Sequence, residues 1–393
     1  MEAWSKPINL THQIVTRVAQ TVQRYGKTSF IWNGKTPRVI VCDPEMMREV
    51  LLDKQGQFQK PPVNPLIKLL SMGLTSLEGE EWAKRRRVIS PAFHLEKLKG
   101  MMPAFYTSCI DLIKRWENLT STEGICEIDV WPEFECVTGE AISRTAFGSS
   151  FIEGKKIFEL QKEQAVLVME AAYQASATIT IRTSHAITID DLMEECKLFY
   201  FAGRETTSAW LTWTVLLLAI HPSWQQRARE EVLNTCGKNN TPDFESLSHL
   251  KIVTMILHEV LRSYPPVTSL YRHTTKKTKL GNFSFPAGVD LLLPTILIHH
   301  DQEFWGEDAE EFEPERFSEG VSKASEVQNA FFPFGWGPRT GLGQNFAIIE
   351  AKIALATILQ HFSFQLSPSY SHAPFTVITL QPQYGAHIML HQL

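Results

Sequence analysis

Apolar positions recur at helical spacing through most of the chain, from Pro44 to about His361. The clearest such run is Ile189 to Ile220. A capping-box pair, Thr188 and Asp191, opens it, and His221-Pro222 closes it. Residues 247–263 predict a second strong helix, ended by Pro265-Pro266. Strand-like patterns are confined. Residues 28–32 and 38–42 flank Asn33-Gly34, which reads as a hairpin. From residue 268 to 294 the period shifts towards strands, and the tail after Phe362 (FSFQL, FTVITL, HIML) is β again. The expected class is mainly α with small β-sheets (α+β), with β units at each end and no βαβ alternation. No internal repeat or low-complexity linker divides residues 1–393, so one domain is expected.

Composition narrows the function classes. Of 393 residues 44% are hydrophobic, enough for one large core, and Lys+Arg number 38 against 43 Asp+Glu, a formal net charge of -5. That balance excludes the basic excess of nucleic-acid binders. Six cysteines lie scattered without CxxC spacing, and no secretory signal opens the chain, so reduced core cysteines are expected rather than three disulfides. Residues 1–25 are polar and mixed in charge, lacking the roughly 20 consecutive apolar residues that cross a bilayer. The chain as written therefore reads as soluble or at most peripheral.

Candidate chemistry begins at residues 331–347, FFPFGWGPRTGLGQNFA. Glycines and prolines this dense specify a tight loop entering a helix from about Gln344. A buried structural turn would explain the composition alone. A phosphate-binding loop does not fit, because no parallel strand precedes it, Pro338 breaks its middle and no βαβ unit surrounds it. The loop resembles the haem-binding signature of the cytochrome P-450 family: Phe, two residues, Gly, any, Arg, any, Cys, any, Gly. Phe334, Gly337, Arg339 and Gly343 match it in order, and Gly341 stands in the cysteine's place.

The resemblance extends along the chain. Glu259 and Arg262 form an ExxR pair sharing one helix face, to which the family adds an arginine from a PERF segment, here Arg316. Together they imply a buried structural triad, whose disruption typically costs about 3–5 kcal/mol. Trp82 and Arg86 are similar to the family's WxxxR helix, whose polar groups meet a haem propionate. Arg339 and Arg272 resemble its other propionate partners, a task suited to the rigid guanidinium fork. Lys84, Arg85 and Arg87 read as a solvated basic face, with docking to an acidic reductase as the rival. FAGRETTS (residues 201–208) matches the oxygen-activation motif. There the resemblance implies that Gly203 admits a distal ligand and that Glu205 and Thr206 relay protons, although threonine commonly back-bonds to its own helix. Arg204 departs from the uncharged residues usual at its position.

The resemblance implies a P-450 fold and heme b. It also implies a small lipophilic substrate, electrons from an NADPH-dependent reductase on the proximal face, and peripheral membrane contact. The phrases EECKLFYFAGRETTS, KIVTMILHEVLR and NAFFPFGWGPR resemble the plant seventy-two clan, whose members oxidise isoprenoid-derived molecules. Family members reside on the cytosolic face of the endoplasmic reticulum membrane; with no anchor in this chain, a cytoplasmic or peripheral location is expected. Three departures point to impairment: the missing anchor, Gly341 and missing roof helices. Gly341 offers no metal ligand, and thiolate donation is what favours O–O cleavage in this family. Roof helices expected between Ala171 and Thr188 are missing, implying a deletion junction near 172–188. One lost helix burying roughly 500 Å² forfeits about 12 kcal/mol, comparable to a whole domain's stability, so a fragile fold and a water-exposed pocket are expected. Three readings stay open: a monooxygenase, a haem-binding module without thiolate, and a non-catalytic remnant.

Overall fold

The computed structural model describes residues 15–62, 73–120, 124–148, 160–161, 163–164 and 189–393. The expected junction near 172–188 and Thr188 lie outside the described residues, as does the side chain of Asp191. In chain order the first helices are α1 (Thr16–Tyr25), α2 (Pro44–Leu51), α3 (Gly79–Ile89), α4 (Leu95–Thr120), α5 (Val130–Ile142) and α6 (Ile189–Ile220). They are followed by α7 (Pro222–Cys236), α8 (Phe244–His249), α9 (Lys251–Ser263), α10 (Thr295–His299), α11 (Gln302–Trp305) and α12 (Gln344–His361). The strands in the first two-thirds are β1 (Thr28–Asn33), β2 (Thr36–Val41), β3 (Phe58–Gln59) and β4 (Ile125–Asp129). After α9 come β5 (Leu270–Thr274), β6 (Thr278–Leu280), β7 (Phe283–Phe285) and β8 (Asp290–Leu293). The last four are β9 (Phe362–Leu366), β10 (Pro374–Thr376), β11 (Leu380–Pro382) and β12 (His387–Gln392). The fold is mixed α+β, with a helical body and small sheets.

The β units do not stay at the two ends. The hairpin β1–β2 joins a five-stranded sheet ordered β1-β2-β8-β5-β3, in which β2 and β8 run parallel. The tail strands β9 and β12 enclose no sheet alone. β12 also pairs antiparallel with β4, a strand in a region that helical patterns dominate. A five-residue strand is too short to announce itself by period, and its partner is supplied by the end of the chain. FTVITL likewise is not one strand, because residues 377–379 bend between the antiparallel β10 and β11. The expected helix 247–263 is broken at Leu250 (φ -74°, ψ 82°). Asp243 caps α8 by accepting from the Ser246 amide, while the Glu231 carboxylate accepts from the Ile252 and Val253 amides at 2.8 and 3.0 Å. Each short helix thus has its own start, and its first donors are satisfied.

At the centre lies α12, buried on every side from Ala351 through Leu359 apart from the half-buried Lys352. A helix apolar all round belongs inside a core. Its last carbonyls are not orphaned, because Arg229 of α7 donates to Leu359 O and Phe362 O at 3.2 and 2.6 Å. Trp116 packs edge-on against Phe134 and Phe362, tying α4, α5 and β9 together. α6 crosses the same core. Its Trp210 and Trp213 bury their rings and donate indole N–H groups to Leu257 O and Leu380 O at 3.0 and 2.9 Å. None of the six cysteines forms a disulfide. No helix among the described residues is long and apolar enough to cross a membrane.

Candidate haem site

The loop preceding α12 is shaped by glycines that no other residue replaces. Gly335 and Gly337 have φ of +73° and +72°, and a Cβ on Gly337 would sit 2.6 Å from Leu51 O. Gly337–Arg339 then forms a 3₁₀ turn. Gly341 is different. Its amide donates to Phe334 O at 2.8 Å, and Gln344 donates back to Gly341 O at 3.3 Å. A Cβ there would meet Phe334 at 3.5–3.6 Å, ordinary contact. Gly343 is the N-cap of α12, and Phe334 packs edge-on against Trp210 of α6.

Four cations converge beside this loop. Arg339 donates to Leu77 O at 2.9 Å, pairs with Glu78, and stacks over Trp82 with its guanidinium 4.5 Å from the ring centre. Arg86, one turn along α3 from Trp82, donates to Thr340 O at 2.9 Å and so clamps the residue next to Gly341. Arg272 is buried on β5, where burial and the repulsion of Arg339 push it down to about 10. Lys60, a residue the motifs did not single out, is pushed down to about 8 by burial and by Arg272 and Arg339. Glu78 and Asp53 are the carboxylates acting on these groups. Positive charge therefore exceeds negative in a half-buried site, the condition that invites a ligand with two carboxylates.

The Lys60 shift has a testable sign. Between pH about 8 and 10.5 the unfolded chain holds more protons than the folded one, so the stability of the ligand-free chain rises across that interval. Lys60→Met is expected to be more stable than the unmodified chain near neutral pH. That advantage should shrink as pH climbs through the interval. Urea midpoints at the two ends measure it, and a gap that stays constant would remove Lys60 from the cluster.

Glu259, Arg262 and Arg316 come together. The Arg262 and Glu259 side chains are both 0% exposed and meet through paired contacts of 2.7 and 2.8 Å. The remaining Arg262 donors reach the carbonyls of His299, Ala309 and Glu311. Arg316 Nε lies 3.8 Å from Glu259, and its terminal nitrogens bond Asp308 and Trp305 O. This knot holds α9 to the segment carrying α10 and α11, behind the loop.

On α6, Glu205 accepts from Thr379 Oγ1 at 3.0 Å, a partner invisible to local reading, whereas Thr206 donates into its own helix at Ala202 O, 2.7 Å away. Gly203 faces Ile142 of α5, whose Cδ1 would lie 2.9 Å from an added Cβ. The glycine lets the neighbouring helix approach closely there. Arg204 pairs with Glu135 of α5 at 2.5 Å, which accounts for a charge at that position. Arg85 does not belong to a solvated face: it pairs with Glu195 of α6 at 3.1 Å, both largely buried, while Lys84 and Arg87 are exposed. That pair borders an apolar cavity of 340 Å³ lined by Ile89, Phe93, Met101, Ile142, Phe199 and Phe346. A second cavity of 350 Å³ lies against the loop. Phe334, Thr340 and Gln344 line it together with His258, whose imidazole burial pushes down to about 4. His258 stands far from the loop in sequence, and no spacing signals its approach. Among the described residues no cluster of His, Cys, Asp or Glu is arranged to hold a metal.

The cytochrome P-450 family model matches residues 6–181 and 153–386. The chain is 50% identical to cytochrome P-450 72A397 of Kalopanax septemlobus, over 99% of this chain and 86% of that protein. It is 48% identical to 11-oxo-beta-amyrin 30-oxidase of Glycyrrhiza uralensis (100% and 87% covered) and 46% identical to 7-deoxyloganic acid hydroxylase of Catharanthus roseus (100% and 88%). These alignments run over 450, 455 and 459 positions against 393 residues here, so each relative has positions without a counterpart in this chain. With the signature loop, the ExxR pair and full-length likeness in agreement, the chain belongs to the cytochrome P-450 family, within the plant seventy-two clan.

Proposed function

We propose that this chain is a haem-holding cytochrome P-450 whose iron lacks its thiolate. Its lineage would hydroxylate a small, isoprenoid-like lipophile with electrons from an NADPH-dependent reductase. The observation that carries this reading is the surplus of cations, Arg86, Arg272, Arg339 and Lys60, beside a loop with glycine at its ligand position. Their chemistry fits the two propionates of heme b, whereas Gly341 offers no donor for the iron. When bound in this family, haem supplies dioxygen activation, which depends on thiolate donation. In this chain Trp82 would orient Arg339, Arg86 would hold the loop, and Phe334 and Gly343 would flank the macrocycle. Glu205, steadied by Thr379, and Thr206 are the proposed proton carriers. The hydroxyl of Thr206 must first leave Ala202 O.

An apolar cavity and relatives named for terpenoid oxidation support a lipophilic ligand. The surplus alignment positions and the two-part family match support an internal deletion near 172–188. They also favour the second reading, a degenerate non-catalytic remnant. The reductase would dock on the proximal face, and peripheral contact with the endoplasmic reticulum follows from the family alone. Arg272→Met and Arg339→Met should each accelerate haem loss to a scavenging apo-globin about tenfold to a hundredfold, the worth of one charge-assisted contact. Unchanged loss rates in both would remove the cluster as the propionate site.

A further inference from the structure

The geometry points to a second ligand site: the cavity of 350 Å³ against the loop binds a small, uncharged phenol, its ring against Phe331, Phe334 and Trp336 and its hydroxyl donating to His258. The site is independent of haem, because every group it uses belongs to the chain. Its wall is largely apolar with a few polar groups converging on it, the usual make-up of a small-molecule pocket. The volume lies at the small end of such pockets, about 300–1,000 Å³, which suits one or two rings rather than a polycyclic skeleton. Three of the walls are aromatic, so a flat ring gains stacked or edge-on contact that an alkyl chain does not. None of the side chains lining the cavity bears a carboxylate, an ammonium or a guanidinium. A charged ligand would therefore lose its water without gaining a counter-ion.

The polar groups decide the ligand's chemistry. His258 stands on α9 beside Glu259, whose pairing with Arg262 anchors that turn of the helix. Its ring lies edge-on to Phe331 at 6.1 Å and tilted against Phe317 at 5.4 Å, contacts that hold it in place. Among the described residues no hydrogen bond engages its ring nitrogens, and none engages the Gln344 carboxamide, which lines the same cavity. Burial and the charge of Lys352 keep the imidazole neutral near pH 7, while Lys352 itself donates to Leu247 O at 3.0 Å. A neutral imidazole presents one acceptor nitrogen, and a carboxamide can donate to the oxygen of a hydroxyl bound there. Thr340 does not compete, because its hydroxyl already donates to Gly337 O at 2.8 Å. A phenol, ionising at a pH of about 10, stays uncharged near neutrality yet donates more strongly than an alkyl alcohol.

The test titrates the full chain with para-fluorophenol, read by fluorine NMR and by amide hydrogen exchange. Binding should saturate, at least about fivefold tighter than for fluorobenzene, which has the ring without the hydroxyl. The charged para-fluorobenzoate should fail to displace it. Amide exchange should slow in residues 331–344, because Thr340 and Gln344 bracket the middle of the loop. His258→Ala should weaken binding about tenfold, and His258→Gln, which keeps an acceptor, should weaken it less. Val321→Trp leaves the core alone: Val321 lines the cavity yet is 40% exposed, so a larger side chain there should close the mouth and abolish binding. Equal affinity for para-fluorophenol and fluorobenzene would overturn the hydroxyl contact and the proposal with it. Binding that survives Val321→Trp, or protection confined to residues 192–199, would place the phenol in the other cavity and overturn this site. Absence of saturable binding to the unmodified chain would overturn it outright.

Discussion

Glu259→Ala is expected to destabilise the chain by about 3–5 kcal/mol, a large share of the roughly 5–15 kcal/mol that stabilises an ordinary domain. The reason lies with the partner. Arg262 is fully buried, and its donors are divided between the Glu259 carboxylate and three backbone carbonyls. Removing the carboxylate leaves a guanidinium charge in the core with only neutral acceptors. It also deprives the Glu313 amide of its acceptor, 2.9 Å from Glu259 Oε1. The comparison variant is the double change Glu259→Leu with Arg262→Met, which removes both charges and should recover much of the loss. Urea midpoints of the three proteins decide the matter. If Glu259→Ala melts within about 1 kcal/mol of the unmodified chain, the pair is not the knot described.

Gly341→Cys is expected to change the haem and leave the fold almost untouched. The new Cβ makes only ordinary contact with Phe334, and the backbone at 341 needs no left-handed conformation. Loss of a glycine also reduces the freedom of the unfolded chain, worth about 0.4–1 kcal/mol in favour of the variant. The thermal midpoint should therefore hold or rise slightly. The iron of a bound haem, by contrast, would gain a soft anionic donor supplied by the chain itself. A large fall in the midpoint would mean that the loop has closed around glycine in a way incompatible with a side chain.

Local signals in the sequence carried the parts of this site that lie within one segment. Gly335 and Gly337 are legible because dense Gly and Pro announce a turn, and their positive φ is what that composition is for. Glu259 and Arg262 are legible because i,i+3 residues share a helix face. The remainder depends on long-range pairing, which leaves no local period. Thr379 reaches Glu205 across 174 positions, and Glu78 reaches Arg339 across 261. Lys60 joins the cation cluster from a loop whose own composition is unremarkable. β4 exists because β12 pairs with it, and Arg85 is withdrawn from solvent because Glu195 meets it. The break at Leu250 likewise comes from Glu231 on another helix.

The missing thiolate is the centre of this reading of the site, and the decisive measurement is the reduced, carbon-monoxide-bound difference spectrum of the unmodified chain beside Gly341→Cys. The expected result is a haem-loaded protein without the thiolate-type Soret band, and that band appearing once cysteine is restored. A thiolate-type band in the unmodified chain, free of added thiol, would contradict it.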